Sequence, residues 1–118
     1  MSPKRGDRVP APPGPDEWEI RFLDNDTAKG WEELCRQAPA NTRIAWLTMR
    51  AHPAPRVESA RHRRLKYELA TGLVKGRELE HWQIEVTGAG RVWYLVDHES
   101  FTVWLDYAGT GHPRATDS

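Results

Sequence analysis

Close to the end of the chain, YAGTGHPRATD sets His112 between Gly111 and Pro113, with Arg114 directly after it. An imidazole, with an intrinsic pKa of about 6.5, suits general acid or base work near neutral pH. Gly109 and Gly111 would let the backbone leave the preceding strand and fold back, and Pro113 would fix its exit. Three readings stay open: a turn in a spent tail, a phosphate-holding loop, or a strand end that delivers a proton-transfer group. Further upstream, RHRRLK supplies Arg61, Arg63, Arg64 and Lys66 with no acid before Glu68. Such a cluster can track the phosphates of a nucleic acid, or it can be a solvated charged edge that blocks strand-to-strand aggregation. Tyr107 can stack on a base or share in proton transfer, whereas its alternation with Val103 and Leu105 points to core packing.

The elements that must position these groups are legible in the hydrophobic periodicity. Residues 1–16 hold five of the nine prolines and read as a disordered arm; residues 17–118 read as a single domain. EWEIRF alternates, with Trp18, Ile20 and Phe22 on one side, as a half-buried strand does. LDNDT offers helix-capping side chains, and Ala28, Trp31, Leu34, Cys35 and Ala38 follow at helical spacing up to Pro39. A second helix is predicted with Asn41 as cap and Ala40, Ile44, Leu47 and Ala51 as its buried stripe, ending at His52 before Pro53. Trp46 and Met49 fall on its other side, either as an apolar patch for a partner or packed beneath the N-terminal segment.

Leu65, Tyr67 and Leu69 alternate with Arg64, Lys66 and Glu68, which predicts an extended segment with its cations along one side; ATGLVKGRE then turns the chain. HWQIEV, RVWYLVD and FTVWLDY predict a three-stranded antiparallel meander, the first pair joined at GAG, residues 88–90. That GAG lacks the third glycine and the following helix of a dinucleotide-binding loop. Strand, two helices, a short extended segment and three strands make an α+β domain with a helical hairpin on one face of an antiparallel sheet.

Composition narrows the function classes. At 118 residues there is room for one core; 17 Lys and Arg balance 17 Asp and Glu, so any affinity for polyanions must be local. The single Cys35 excludes an internal disulfide, and a zinc site would have to draw on five scattered histidines. With no signal-like or membrane-spanning apolar run, the expectation is a cytoplasmic protein without membrane partners.

With the elements in place, RLKYELATG, WQIEVTGAGRVWYLVD and TVWLDYAGTGHP, in that order, resemble the RelE/ParE superfamily of bacterial type II toxin–antitoxin toxins across roughly residues 17–114. The resemblance implies a RelE-like fold and, in the RelE branch, an endoribonuclease that inhibits translation. Such an enzyme cleaves ribosome-bound mRNA by attack of the ribose 2′-hydroxyl on the adjacent phosphate, without metal or cofactor, and is held by a cognate antitoxin protein. The ParE branch implies a non-catalytic toxin of DNA gyrase, and fold alone does not choose between them. Carried over by position, Arg91 would grip the scissile phosphate in its guanidinium fork and His112 would transfer a proton; since the cleavage needs a base and an acid, Glu85 can serve as base with His112 as acid. Arg61, Arg63, Arg64, Lys66, Arg114 and Tyr107 would contact RNA. Gln83 and Glu85 stand where the best-known RelE nucleases carry two lysines.

Overall fold

The computed structural model describes residues 4–111, which form a compact α+β fold of two helices and one six-stranded mixed sheet. Strand β1 is Glu19–Phe22, followed by helices α1, Asn25–Gln37, and α2, Pro39–Ala51. Short β2, His62–Arg64, leads through a 3-10 turn at Tyr67–Leu69 to β3, Thr71–Val74. Then come β4, Arg77–Glu85, β5, Arg91–Asp97, and β6, Thr102–Gly109. The strand order is β1-β6-β5-β4-β2, with β3 on the same edge of β4 as β2. The meander is antiparallel as expected, but the sheet as a whole is not: β1 joins β6 in parallel, Ile20 beside Val103. A strand separated from its neighbour by two helices and four further strands has no tight hairpin to force it antiparallel.

Helix α1 starts where its cap dictates. The Asp24 carboxylate accepts from the Thr27 backbone N–H and hydroxyl, both at 2.8 Å. The helix then lies so close to β6 that a side chain at Gly30 would collide with the Ala108 carbonyl. Helix α2 begins earlier than Asn41, with Pro39 in its first turn, where a missing N–H costs nothing. It ends at His52 as predicted.

The buried face of α2 is a correction. Thr42, Ala45 and Met49 face the sheet, while Ile44 and Leu47 are 62% and 44% exposed. Close approach to α1 selects the small side chains: the Thr42 hydroxyl donates to the Leu34 carbonyl at 3.0 Å, and Ala45 sits beside it in the core. Trp46 and Met49 differ in place: Met49 belongs to the main core, and Trp46 is half-buried. Met49 is fully buried, and Trp46 lines a groove with Val9, Pro10 and Ala11 of the arm. Arg50 lies over the Trp46 ring at 4.8 Å and reaches the Ala11 carbonyl at 3.4 Å.

Two stretches between the helices and the meander also differ. The extended run stops at Arg64; Leu65 is buried, but Tyr67 has φ 57° and is 92% exposed as the chain turns into its 3-10 segment. TGLV is not part of a turn but a strand, and β4 starts at Arg77 rather than His81. The hairpin between them turns on Lys75 and Gly76, both with positive φ, as a two-residue type I′ connection requires.

The helices cover one face of the sheet, where Trp82, Ile84, Val92, Tyr94, Val96, Val103 and Leu105 join Leu34, Ala45 and Met49 in the main core. At roughly 1.5–3 kcal/mol per large apolar side chain, this layer holds the fold. No helix among the described residues is long and apolar enough to cross a membrane.

Candidate functional site on the second face of the sheet

The face turned away from the helices is polar and aromatic, yet largely buried. Antiparallel register aligns its side chains in rows. One row pairs Glu85 with Arg91; the next runs Arg63, Gln83, Trp93, Tyr107; a third brings His81 beside Leu95 and Trp104. Alternation along β6 breaks once, because Trp93 pairs with Tyr107 and Tyr94 with Leu105, leaving Asp106 as the extra residue of a bulge. The bulge turns Tyr107 off the face of Val103 and Leu105 onto the second face, which corrects the core position expected from strict alternation. There its ring lies 5.9 Å from Trp93 and its hydroxyl donates to the Gly111 carbonyl at 2.8 Å. Burial raises the Tyr107 pKa.

Arg91 is not a solvent-exposed hairpin arginine: it is only 6% exposed. Its Nη1 donates to the carbonyls of Thr87, Gly88 and Gly90 at 3.1, 3.3 and 3.0 Å, and its Nη2 lies 3.7 Å from Glu85 Oε2. The β4–β5 turn thus holds one guanidinium nitrogen and aims the other at a carboxylate. Glu85 also borders a cavity of about 280 Å³ between α2 and the sheet edge, shared with Arg61, His62, Asn41 and Ile44. A fixed cation beside a half-buried carboxylate can stabilise a phosphate and accept a proton from a hydroxyl next to it.

The same face holds a pair that sequence reasoning missed. His81 Nε2 is 3.0 and 2.8 Å from the two Asp106 carboxylate oxygens, and His81 Nδ1 is 2.8 Å from the Leu69 carbonyl. A carbonyl only accepts, so Nδ1 donates to Leu69, and Nε2 faces the Asp106 carboxylate. Trp93 closes the cluster, its ring edge-on to His81 at 5.3 Å and its Nε1 donating to Gln83 Oε1 at 2.8 Å. The signal was present in the sequence: RVWYLVD places large apolar side chains on both of its faces, as in a strand covered on both sides. The pairing across an intervening strand and the bulge that aims Asp106 had no such signal.

Of the residues expected to act, the structure brings Arg91 and Glu85 together, with Tyr107 one row away and Arg63 at the far end of that row. His112 and Arg114 lie outside the described residues. The four cations do not share one side, because the segment alternates as a strand only to Arg64. Arg63 faces Gln83 across the ladder, Arg64 faces Trp82 and donates to the Ala70 carbonyl at 3.3 Å, and Arg61 and Lys66 are exposed beyond either end.

His62 belongs to the helix-covered face. Its Nε2 contacts the Tyr94 hydroxyl, which donates to the Pro53 carbonyl at 2.7 Å. Burial lowers the His62 pKa and raises that of Tyr94. At the opposite end of the second face Arg77 grips Asp97 through two bonds, of 2.9 and 3.1 Å, and holds its carboxyl down at about 2. Among the described residues no three His, Cys, Asp or Glu side chains converge as metal ligands would.

No protein-family model matches this sequence, and no curated protein matches it. The fold and the second-face cluster therefore carry the functional reading.

Proposed function

We propose that this protein is a RelE-like toxin of a type II toxin–antitoxin system that cleaves ribosome-bound mRNA. The observation that carries the reading is the Arg91–Glu85 pair, a buried guanidinium beside a half-buried carboxylate, at the head of the β4–β5 hairpin, on a face that also holds Trp93, Tyr107 and Arg63. In this mechanism Glu85 takes the proton of the ribose 2′-hydroxyl, whose oxygen attacks the adjacent phosphorus. Arg91 Nη2 stabilises the charge gathering on the phosphate oxygens, and the bond to the 5′-oxygen breaks as His112 protonates it. Tyr107 and Arg63 bind the flanking nucleotides. No metal or cofactor is needed for this in-line transfer. The exposed Ile44 and Leu47 on α2 offer an apolar strip to the cognate antitoxin.

Induced expression in a bacterial host, with growth followed and the 5′ ends of cellular mRNA mapped, tests this. Arrest with new message ends inside translated codons, both lost in an Arg91→Ala, His112→Ala double variant, is expected. Arrest with intact messages would overturn the nuclease. One observation favours a second reading: Arg91 already serves three turn carbonyls, as a purely structural arginine would. A non-catalytic toxin of the ParE kind then follows, with DNA gyrase as the bound target, and co-purification of gyrase would establish it.

A further inference from the structure

The far end of the second face carries a strained residue that the toxin mechanism does not use. In the β3–β4 hairpin Lys75 occupies φ 52°, a left-handed position that two-residue turns fill by preference with Asn, Asp or Gly. A lysine there is worse than neutral for the fold, and strain of this kind persists where it positions something. What it positions is an ammonium 5.8 Å from the centre of the Trp104 ring. On the other side of that indole, the parallel register sets Arg21 of β1 beside Trp104 of β6.

Arg21, Lys75 and Trp104 border one pocket of about 450 Å³, which Arg77, Asp97 and Thr102 complete. That volume is in the range of small-ligand sites. The acids nearby do not cancel the two cations that flank the indole. Asp97 and Glu99 are taken up by Arg77 at 2.9 Å each. Glu19 approaches Arg21 at 3.3 Å, but the two side chains are 40% and 58% exposed, so water and salt weaken their attraction. Trp104 also leaves its buried Nε1 donor without an acceptor among the described residues, a cost that the fold alone does not explain.

We propose that this pocket is a nucleotide subsite for single-stranded RNA, with a base against the Trp104 indole and phosphates on Lys75 and Arg21. An aromatic platform flanked by cations is the arrangement with which proteins hold single strands irrespective of sequence. The pocket lies six residues along β5 from Arg91, about 20 Å away, on the same face as the Arg91–Glu85 pair. RNA held there would be a strand whose more distant nucleotides are gripped while another is presented for cleavage. The identity of the ligand rests on the toxin reading; the binding measurement does not, since it needs no cleavage.

The probe is a fluorescently labelled, uncleavable 2′-O-methyl oligouridine of about twelve nucleotides, titrated with the full-length protein at several salt concentrations. Lys75→Asn is the informative variant because it relieves the turn while removing the cation. Its melting temperature is expected to hold or rise, its affinity to fall roughly fivefold or more, and its salt slope to shrink by about one counterion. Arg21→Gln should lower affinity in the same sense, and a duplex of the same length should bind more weakly than the single strand. Unchanged affinity and slope in Lys75→Asn, a duplex bound equally well, or no binding by the wild type would overturn the subsite. Growth arrest and message cleavage decide the toxin reading separately, so either can fail alone.

Discussion

The two faces of one sheet solve opposite problems. Beneath the helices, aliphatic and aromatic side chains interlock; the Thr42 and Tyr94 hydroxyls each donate to a backbone carbonyl, and Tyr94 also meets His62. On the second face, beside a small apolar cluster of Val74, Leu79 and Leu95, buried side chains pair with partners that are often part-exposed, through hydrogen bonds and ion pairs: His81 with Asp106, Gln83 with Trp93, Arg91 with Glu85, Arg77 with Asp97. Buried ion pairs stabilise a fold weakly compared with apolar packing of the same volume. The helix-covered face therefore supplies stability, while the second face fixes polar groups in place at little gain to the fold.

That division can be broken by substitution. Met49→Ala or Leu34→Ala empties the fully buried layer and should cost about 2–5 kcal/mol in urea unfolding. On the second face, Asp106→Ala should cost about 1–3 kcal/mol by leaving His81 Nε2 without its partner. A loss at Asp106 equal to that at Met49 would make the second face structural and remove the contrast.

Acid titration sharpens the same comparison. The depressed carboxyl of Asp97 contributes stability above its ordinary value of 3.8, and that contribution is lost as pH falls from there to about 2. Arg77→Ala should move this loss to higher pH. His62, on the helix side, behaves as a buried base: its folded pKa is lowered, so the unfolded chain binds the proton first and stability falls as pH drops below about 6.5. A His62→Gln variant should flatten the melting temperature across that window. The smallest effect is expected on α2, where Ile44→Ser should change stability by no more than about 0.5 kcal/mol. A large loss there would restore the stripe first expected from periodicity.

These regions were unequally legible in the sequence. The meander could be read because Trp82, Ile84 and Val86 alternate without interruption and GAG marks the turn. Helix α1 could be read from Asp24 and the spacing of Trp31, Leu34 and Cys35. Helix α2 misled because Ile44 and Leu47 are more apolar than the Thr42, Ala45 and Met49 that face inward, and interhelical closeness favours size over hydrophobicity. The parallel pairing of β1 depends on where the chain returns after eighty residues of other structure, which no local pattern encodes. Of the candidate site, Arg91 was expected from the resemblance and Glu85 from the need for a base, and their proximity follows from register. The shift of Tyr107 and the partnership of His81 with Asp106 both follow from one bulge, and a single extra residue leaves no trace in alternation until the partner strand is known.

The most direct measurement adds purified protein to a reconstituted bacterial translation reaction and maps message ends by primer extension, with wild type beside Arg91→Lys of matched melting temperature. Lysine keeps the charge but loses the fork that grips two phosphate oxygens. Cleavage within codons by the wild type, reduced at least about tenfold in Arg91→Lys, is expected, since transition-state contacts of this kind are commonly worth that much or more. Equal cleavage by both proteins, or intact message with the wild type, would contradict a nuclease built on the second face.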